Sequence, residues 1–203
     1  MLTEIEEKFK NRKGKMIGEY RRSSVMLLIK EEAGELYLCF EVRALNLKHQ
    51  PGDICLPGGK IEKNEEPFLA AIRETKEELN LKDEDIEFLG EMDYYISPYN
   101  SIMYSFVSKL KTEIVEPNAD EVDHVFWVPL KFFLENEPLG YDVTITPQMG
   151  ENFPYHFIRG GENYKFHKGQ IKQFFYQYED YVIWGFTAMI VKKFTDLLKV
   201  EVR

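Results

Sequence analysis

The chain has 203 residues, 44% hydrophobic and 30% charged, which is enough apolar material for a core and argues against general disorder. Its 35 Asp and Glu outnumber 26 Lys and Arg, a formal net charge of −9. That balance disfavours broad coating of nucleic acid, which needs basic surface to displace counterions. The longest nearly apolar run, residues 181–191, is too short to span a bilayer. The opening MLTEIEEKFK carries no apolar signal core, and two cysteines, Cys39 and Cys55, make no disulfide framework. A reducing, cytoplasmic setting is the expectation, with no membrane or nucleic-acid partner.

No Ser/Gly linker or internal repeat divides the chain, so one domain over 1–203 is expected, with its core at about 20–200. Thr3 followed by Glu6 reads as a capping box for a helix over 2–13, with Leu2, Ile5 and Phe9 as a thin apolar stripe. Residues 23–29 and 35–42 are β-rich and flank the turn signal EEAG, which predicts a hairpin. Residues 45–57 hold Pro51, Gly52 and Pro57 and read as a structured loop. Pro67 suits a first helical position, and a helix over 67–79 follows, ending where Asn80 can take a left-handed cap.

Strands are expected over 86–95 and 102–110, joined by SPYN, and over 125–128, with Pro129 starting a new element. Residues 135–169 are rich in Gly, Pro and aromatics without a clear period and read as an irregular insertion, with room for a hairpin. Ile183, Phe186, Ile190, Val191, Phe194 and Leu197 recur at helical spacing, so a closing helix is expected. Trp184 and Phe186 are expected to pack it against the sheet. The order of elements indicates an α+β fold with mixed strand pairing.

The acids concentrate at the end of the helix over 67–79. Glu74 and Glu78 are four apart and share a face, while Arg73 is placed to pair with Glu77. Stacked carboxylates of this kind form either a solvated acidic face or a cradle for a hard cation such as Mg²⁺ or Mn²⁺. Upstream, Gly58 and Gly59 mark a place where backbone amides can approach a ligand, and Glu65 lies between.

Gly59, Glu65, Arg73, Glu74, Glu77 and Glu78 resemble the Nudix box, G-x5-E-x7-R-E-U-x-E-E-x-G-U, with Leu81 at its last apolar position. Thr75 stands where an aliphatic is usual and Asn80 where Gly is usual. The resemblance implies a Nudix-type α/β/α sandwich with a mixed β-sheet, and hydrolysis of a nucleoside diphosphate linked to another moiety. It also implies that Glu74 and Glu78 bind Mg²⁺ or Mn²⁺, with Glu77 as a further ligand or base. Glu65 and Arg73 would be an orienting pair, or a purely structural salt bridge. Such chemistry has a physical basis, because divalent ions neutralise phosphate oxygens, acidify a bound water and align its attack.

The preceding stretch, CFEVRALNLKHQPGDICLPGG, resembles the signature L-L-T-x-R-[SA]-x3-R-x3-G-x3-F-P-G-G of coenzyme A pyrophosphatases. Arg43, Ala44, Gly52, Pro57, Gly58 and Gly59 match; Lys48 replaces Arg, Leu56 replaces Phe, and Cys39, Phe40 and Glu41 replace L-L-T. The resemblance implies cleavage of coenzyme A or a derivative to 3',5'-ADP and 4'-phosphopantetheine. Arg43, Lys48, His49, Gly58, Gly59 and Glu121 become candidate substrate contacts. The alternatives are a Nudix hydrolase of another nucleoside diphosphate derivative, such as ADP-ribose, and a non-catalytic nucleotide-binding regulator. The oligomeric state stays open.

The four histidines show no ligand spacing, so a zinc site is not expected. No P-loop, G-x-S-x-G or C-x-x-C occurs. Tyr155 and Tyr164 could line an entrance or pack a core.

Overall fold

The computed structural model describes residues 1–114 and 116–199. In chain order the elements are α1 (Leu2–Phe9), β1 (Arg21–Glu32), β2 (Glu35–Arg43), β3 (Ile54–Cys55), β4 (Gly58–Lys60), α2 (Pro67–Leu79), β5 (Ile86–Glu91) and β6 (Tyr95–Ser97). Then follow β7 (Ser101–Leu110), β8 (Val122–Pro129), α3 (Leu130–Glu135), β9 (Leu139–Ile145), β10 (Gly169–Tyr178), β11 (Tyr181–Trp184) and α4 (Gly185–Lys199).

The run SVMLLI makes β1 a strand buried on both faces. Val25, Leu27 and Ile29 point one way, into a core shared with β2, β8, α3, β10, β11 and α4. Met26 and Leu28 point the other way, against Ala71 and Leu79 of α2 and Phe106 and Leu110 of β7. This period-two split of an unbroken apolar run is what a strand between two helical layers requires. β1 pairs antiparallel with β2 and parallel with β7, so the eight-stranded sheet is mixed. Its main path runs β3-β2-β1-β7-β5, with β4 beside β1, β6 beside β7 and β8 beside β2.

The helix over 67–79 forms as expected, with Pro67 at its start and Asn80 at φ 51°, ψ 43° as its left-handed cap. The Ser24 hydroxyl donates to the Pro67 carbonyl at 2.7 Å and moors the helix to β1.

Several expectations need correction. The first helix spans Leu2–Phe9, not 2–13, and its N-cap is Met1, so Thr3 lies inside the helix and makes no cap. None of its residues is buried, and a helix without packing has only local propensity to extend it. The strand over 86–95 is two strands: β5 ends at Glu91 and β6 starts at Tyr95, both pairing antiparallel with β7, and β5 itself carries a register shift between Phe88 and Gly90.

The insertion over 135–169 contains β9, whose partner β10 begins only at Gly169; with β11 they form a second, three-stranded antiparallel sheet. β9 is exposed along almost its whole length, so it shows none of the alternation that would reveal it. The closing helix starts at Gly185 rather than Ile183. Gly185 sits at φ +66°, a left-handed corner that ends β11 and turns the chain into α4. Trp184 therefore belongs to β11, is 45% exposed, and stacks on Phe175 at 6.0 Å instead of packing the helix.

Candidate active site

β4 carries the two glycines along the last turns of α2. Its register against β1 places Val25 opposite Gly58 and Ser24 opposite Gly59. A Cβ on Gly58 would lie 2.2 Å from the Ser24 carbonyl oxygen, so this strand pairing needs glycine. A Cβ on Gly59 would lie 2.5 Å from the Glu74 carboxyl, which occupies the space a side chain would take. The Gly58 N–H donates to Glu78 Oε2 at 2.8 Å. Glu74 and Glu78 thus share the helix face that meets β4.

Arg73 organises the outer side. Its Nε and Nη2 grip Glu65 Oε1 and Oε2 at 2.9 and 3.1 Å, a two-pronged pair. Nη1 reaches Glu74 Oε1 at 2.8 Å and Glu77 Oε2 at 3.2 Å, and Nη2 also reaches the Lys60 carbonyl. The Arg73 hydrogen bonds, with the Glu62 N–H second, hold the Glu65 carboxyl below its ordinary range. Glu77 is 54% exposed and turned toward Arg73. One oxygen of Glu74 is therefore taken by Arg73.

A further carboxylate, Glu41 of β2, lies behind this face and is 1% exposed. Cys55 Sγ donates to its Oε1 at 3.2 Å, and its Oε2 has no hydrogen-bond partner among the described residues. Burial is the main cause that lifts Glu41 to about 7, and it lifts Glu78 to about 10, with the charge of Glu41 the next cause. Burial also raises Glu74. Glu121 adds to the rise of all three, so its carboxylate stands within electrostatic reach of them. Its loop is tied in place: the Asn118 N–H donates to the Glu78 carbonyl at 2.8 Å, and the Ala44 N–H to the Glu121 carbonyl at 2.9 Å. Burial, then the charge of Glu41, pushes the Cys55 thiol far up, so it is a donor.

Cys55, Gly58 and Gly59 line a cleft of about 440 Å³ whose wall also includes Arg43, Trp184 and Phe186; the Glu41, Glu74 and Glu78 carboxylates stand behind these residues and not in the wall itself. The Nε of Arg43 is buried and without a hydrogen-bond partner among the described residues. Lys48 and His49 are exposed on the loop and do not line this cleft; Gln50 and Asp53 do. Tyr155 and Tyr164 are absent from its wall, and Tyr99 takes such a position. A larger apolar groove of about 630 Å³ lies between α3 and the β9–β10 strands, remote in composition from the carboxylates except for Glu137.

The NUDIX domain model matches residues 20–148. The chain belongs to the NUDIX family. A peroxisomal coenzyme A diphosphatase of Mus musculus is 36% identical over 135 residues, 66% of this chain and 56% of that protein. A mitochondrial coenzyme A diphosphatase of Homo sapiens is 28% identical over 151 residues, 72% of this chain and 56% of that protein. The chain spans about half the length of these curated relatives. A MutT/nudix family protein from Enterococcus faecalis superposes with a TM-score of 0.52 at 16% identity, over 98% of this chain and 70% of that one, a likeness of fold.

NUDIX enzymes use divalent cations, and the box residues here fit one. Buried carboxylates outnumber their cationic partners, and one of them keeps an oxygen without a hydrogen bond. Among the described residues no three His, Cys, Asp or Glu side chains converge on one point. A Mg²⁺-like ion does not demand that, because it is held by one or two carboxylates and completes its shell with water and substrate phosphate.

Sequence reasoning missed Glu41, Cys55 and Trp184 as site residues. The signal for Glu41 was available, since it is a charged residue in a run otherwise apolar from Leu38 to Val42.

Proposed function

We propose that this NUDIX protein hydrolyses the diphosphate of coenzyme A or a close derivative, releasing 3',5'-ADP and 4'-phosphopantetheine with Mg²⁺ or Mn²⁺. The observation that carries the reading is the cleft wall. The segment resembling the coenzyme A pyrophosphatase signature brings Arg43, with its buried unpartnered Nε, to the same cleft as Gly58 and Gly59 beside the box carboxylates. Two relatives named as coenzyme A diphosphatases support the substrate class.

Glu74 and Glu78 would hold the cation, with Glu121 close by and Glu77 at the exposed rim. When bound, the cation supplies charge neutralisation and an acidified water. The protein's own groups do the rest. Arg73 fixes Glu74 through Nη1 and is itself clamped by Glu65, so the carboxylate that fills the Gly59 notch is held at one angle. The Gly58 N–H keeps Glu78 against β4. Arg43 offers a fixed guanidinium to a substrate phosphate. Trp184 and Phe186 give the cleft an apolar side suited to a nucleobase or to the pantetheine arm.

The test is a panel of coenzyme A, an acyl derivative, ADP-ribose and a deoxynucleoside triphosphate, with Mg²⁺ or Mn²⁺ and products identified by mass. The reading expects 3',5'-ADP from coenzyme A as the fastest reaction and its steep loss in Glu78→Gln. Faster cleavage of ADP-ribose or of the triphosphate would replace it by the second reading, a NUDIX hydrolase of another nucleoside diphosphate derivative.

A further inference from the structure

We propose that Glu41 is a cation ligand supplied from outside the box, with Cys55 as the residue that orients it. The signature that this stretch resembles has Thr at this position, so the carboxylate is a departure from that signature. The inference rests on reading the box carboxylates as a cation site, and not on the identity of the substrate.

Glu41 sits in the middle of β2, between Phe40 and Val42, where a carboxylate has no access to water. A buried carboxylate with an unsatisfied oxygen costs several kcal/mol unless something replaces its solvent. Only one oxygen is satisfied. The β2–β3 register sets Glu41 directly opposite Cys55, and the thiol donates to Oε1 at 3.2 Å. Oε2 has no hydrogen-bond donor from Cys55 or the backbone, and the one group within hydrogen-bonding reach of Glu41 on this side is the Glu78 carboxyl, which can serve it only by keeping its own proton.

The nearby cations do not fill the gap. Arg73 is saturated by Glu65, Glu74, Glu77 and the Lys60 carbonyl. Arg43 has a buried Nε without a partner among the described residues; its charge favours the Glu41 carboxylate from a distance but gives Oε2 no hydrogen bond. A divalent cation shared by Glu41 and Glu78 would satisfy both Oε2 and the carboxylate pair. Cys55, the residue that holds Glu41, lines the cleft, so the pair lies one residue behind its wall. By holding Oε1, the thiol leaves Oε2 as the donor atom.

The experiment is Mn²⁺ binding to metal-free protein at pH 8, read by electron paramagnetic resonance of free Mn²⁺, on the wild type, Glu41→Gln, Glu41→Thr, Glu78→Gln, Cys55→Ser and Cys55→Val. Thermal melts in EDTA check folding. Glu41→Gln keeps the shape and Glu41→Thr restores the residue of the resembled signature, so at least one remains testable if the other fails to fold. The expected result is a loss of Mn²⁺ affinity of about tenfold or more in both Glu41 variants. A smaller loss is expected in Cys55→Val and near-normal binding in Cys55→Ser, whose hydroxyl still donates. Affinity within twofold of wild type in the Glu41 variants, while Glu78→Gln loses binding, overturns the role of Glu41 alone. Unchanged affinity in Glu78→Gln as well overturns the cation reading of the box and this inference with it.

Discussion

The two adjacent glycines should respond to the same substitution in opposite ways. In Gly59→Ala the new Cβ would meet Glu74 Cδ and Oε2 at 2.5 Å, where ordinary contacts begin at 3.4 Å. The carboxyl must retreat by about an ångström, a misplacement that can reduce rate about 100-fold. Glu74 is a side-chain end, however, and the backbone has no reason to move. Stability should stay within about 1 kcal/mol of wild type.

In Gly58→Ala the Cβ would meet backbone, the Ser24 oxygen at 2.2 Å and the Val25 Cα at 2.6 Å, from a residue at φ +140°. Neither neighbour can step aside without breaking the β1–β4 pairing. Backbone strain and overpacking together should cost about 3–5 kcal/mol. For a domain of this size that lowers the melting temperature by about 6–20 °C. Melting curves and kcat/KM on the two variants separate the effects. A Gly58→Ala protein as stable as wild type, or a Gly59→Ala protein with full kcat/KM, would refute the reasoning.

Arg73→Lys keeps the charge but loses the planar fork that holds Glu65, Glu74 and Glu77 together, and a fall in kcat of about tenfold or more is expected with little change in KM; unchanged kcat would count against a positioning role. Thr75, fully buried at the box's aliphatic position, has a hydroxyl with no hydrogen-bond partner among the described residues. Thr75→Val should therefore gain about 1 kcal/mol, raising the melting temperature by about 2–4 °C, and a decrease would show that the hydroxyl is satisfied in solution. In metal-free protein the raised carboxyls bind protons more tightly folded than unfolded, so their contribution is fully present below about pH 4.5 and is lost as pH rises. Glu41, lifted from 4.5 to about 7, accounts for about 3 kcal/mol across that window. Melts in EDTA from pH 5 to 8 should show the decline, Glu41→Gln should make it shallower while Glu78 and Glu74 sustain the remainder, and an identical slope in that variant would exclude Glu41 as a source.

The sequence by itself determined the helix over 67–79, its left-handed cap at Asn80 and the common face of Glu74 and Glu78. These depend on local rules, on the 3.6-residue period and on the backbone freedom of a few residue types. The same is true of the β1–β2 hairpin. The family was readable because the box compresses an Arg-centred network into one helix and the loop before it.

Tertiary structure decided what local rules do not reach. Glu41 enters the site because β2 pairs with β3 and sets Cys55 opposite it. Glu121 comes near because the loop at Asn118 is hydrogen-bonded to the end of α2. Trp184 reaches the cleft because β11 ends at a left-handed Gly185, and Lys48 and His49 stay outside because their loop faces solvent. Each of these placements follows from strand registers and loop paths between residues far apart in the chain, and no periodicity in the amino-acid order encodes such distances.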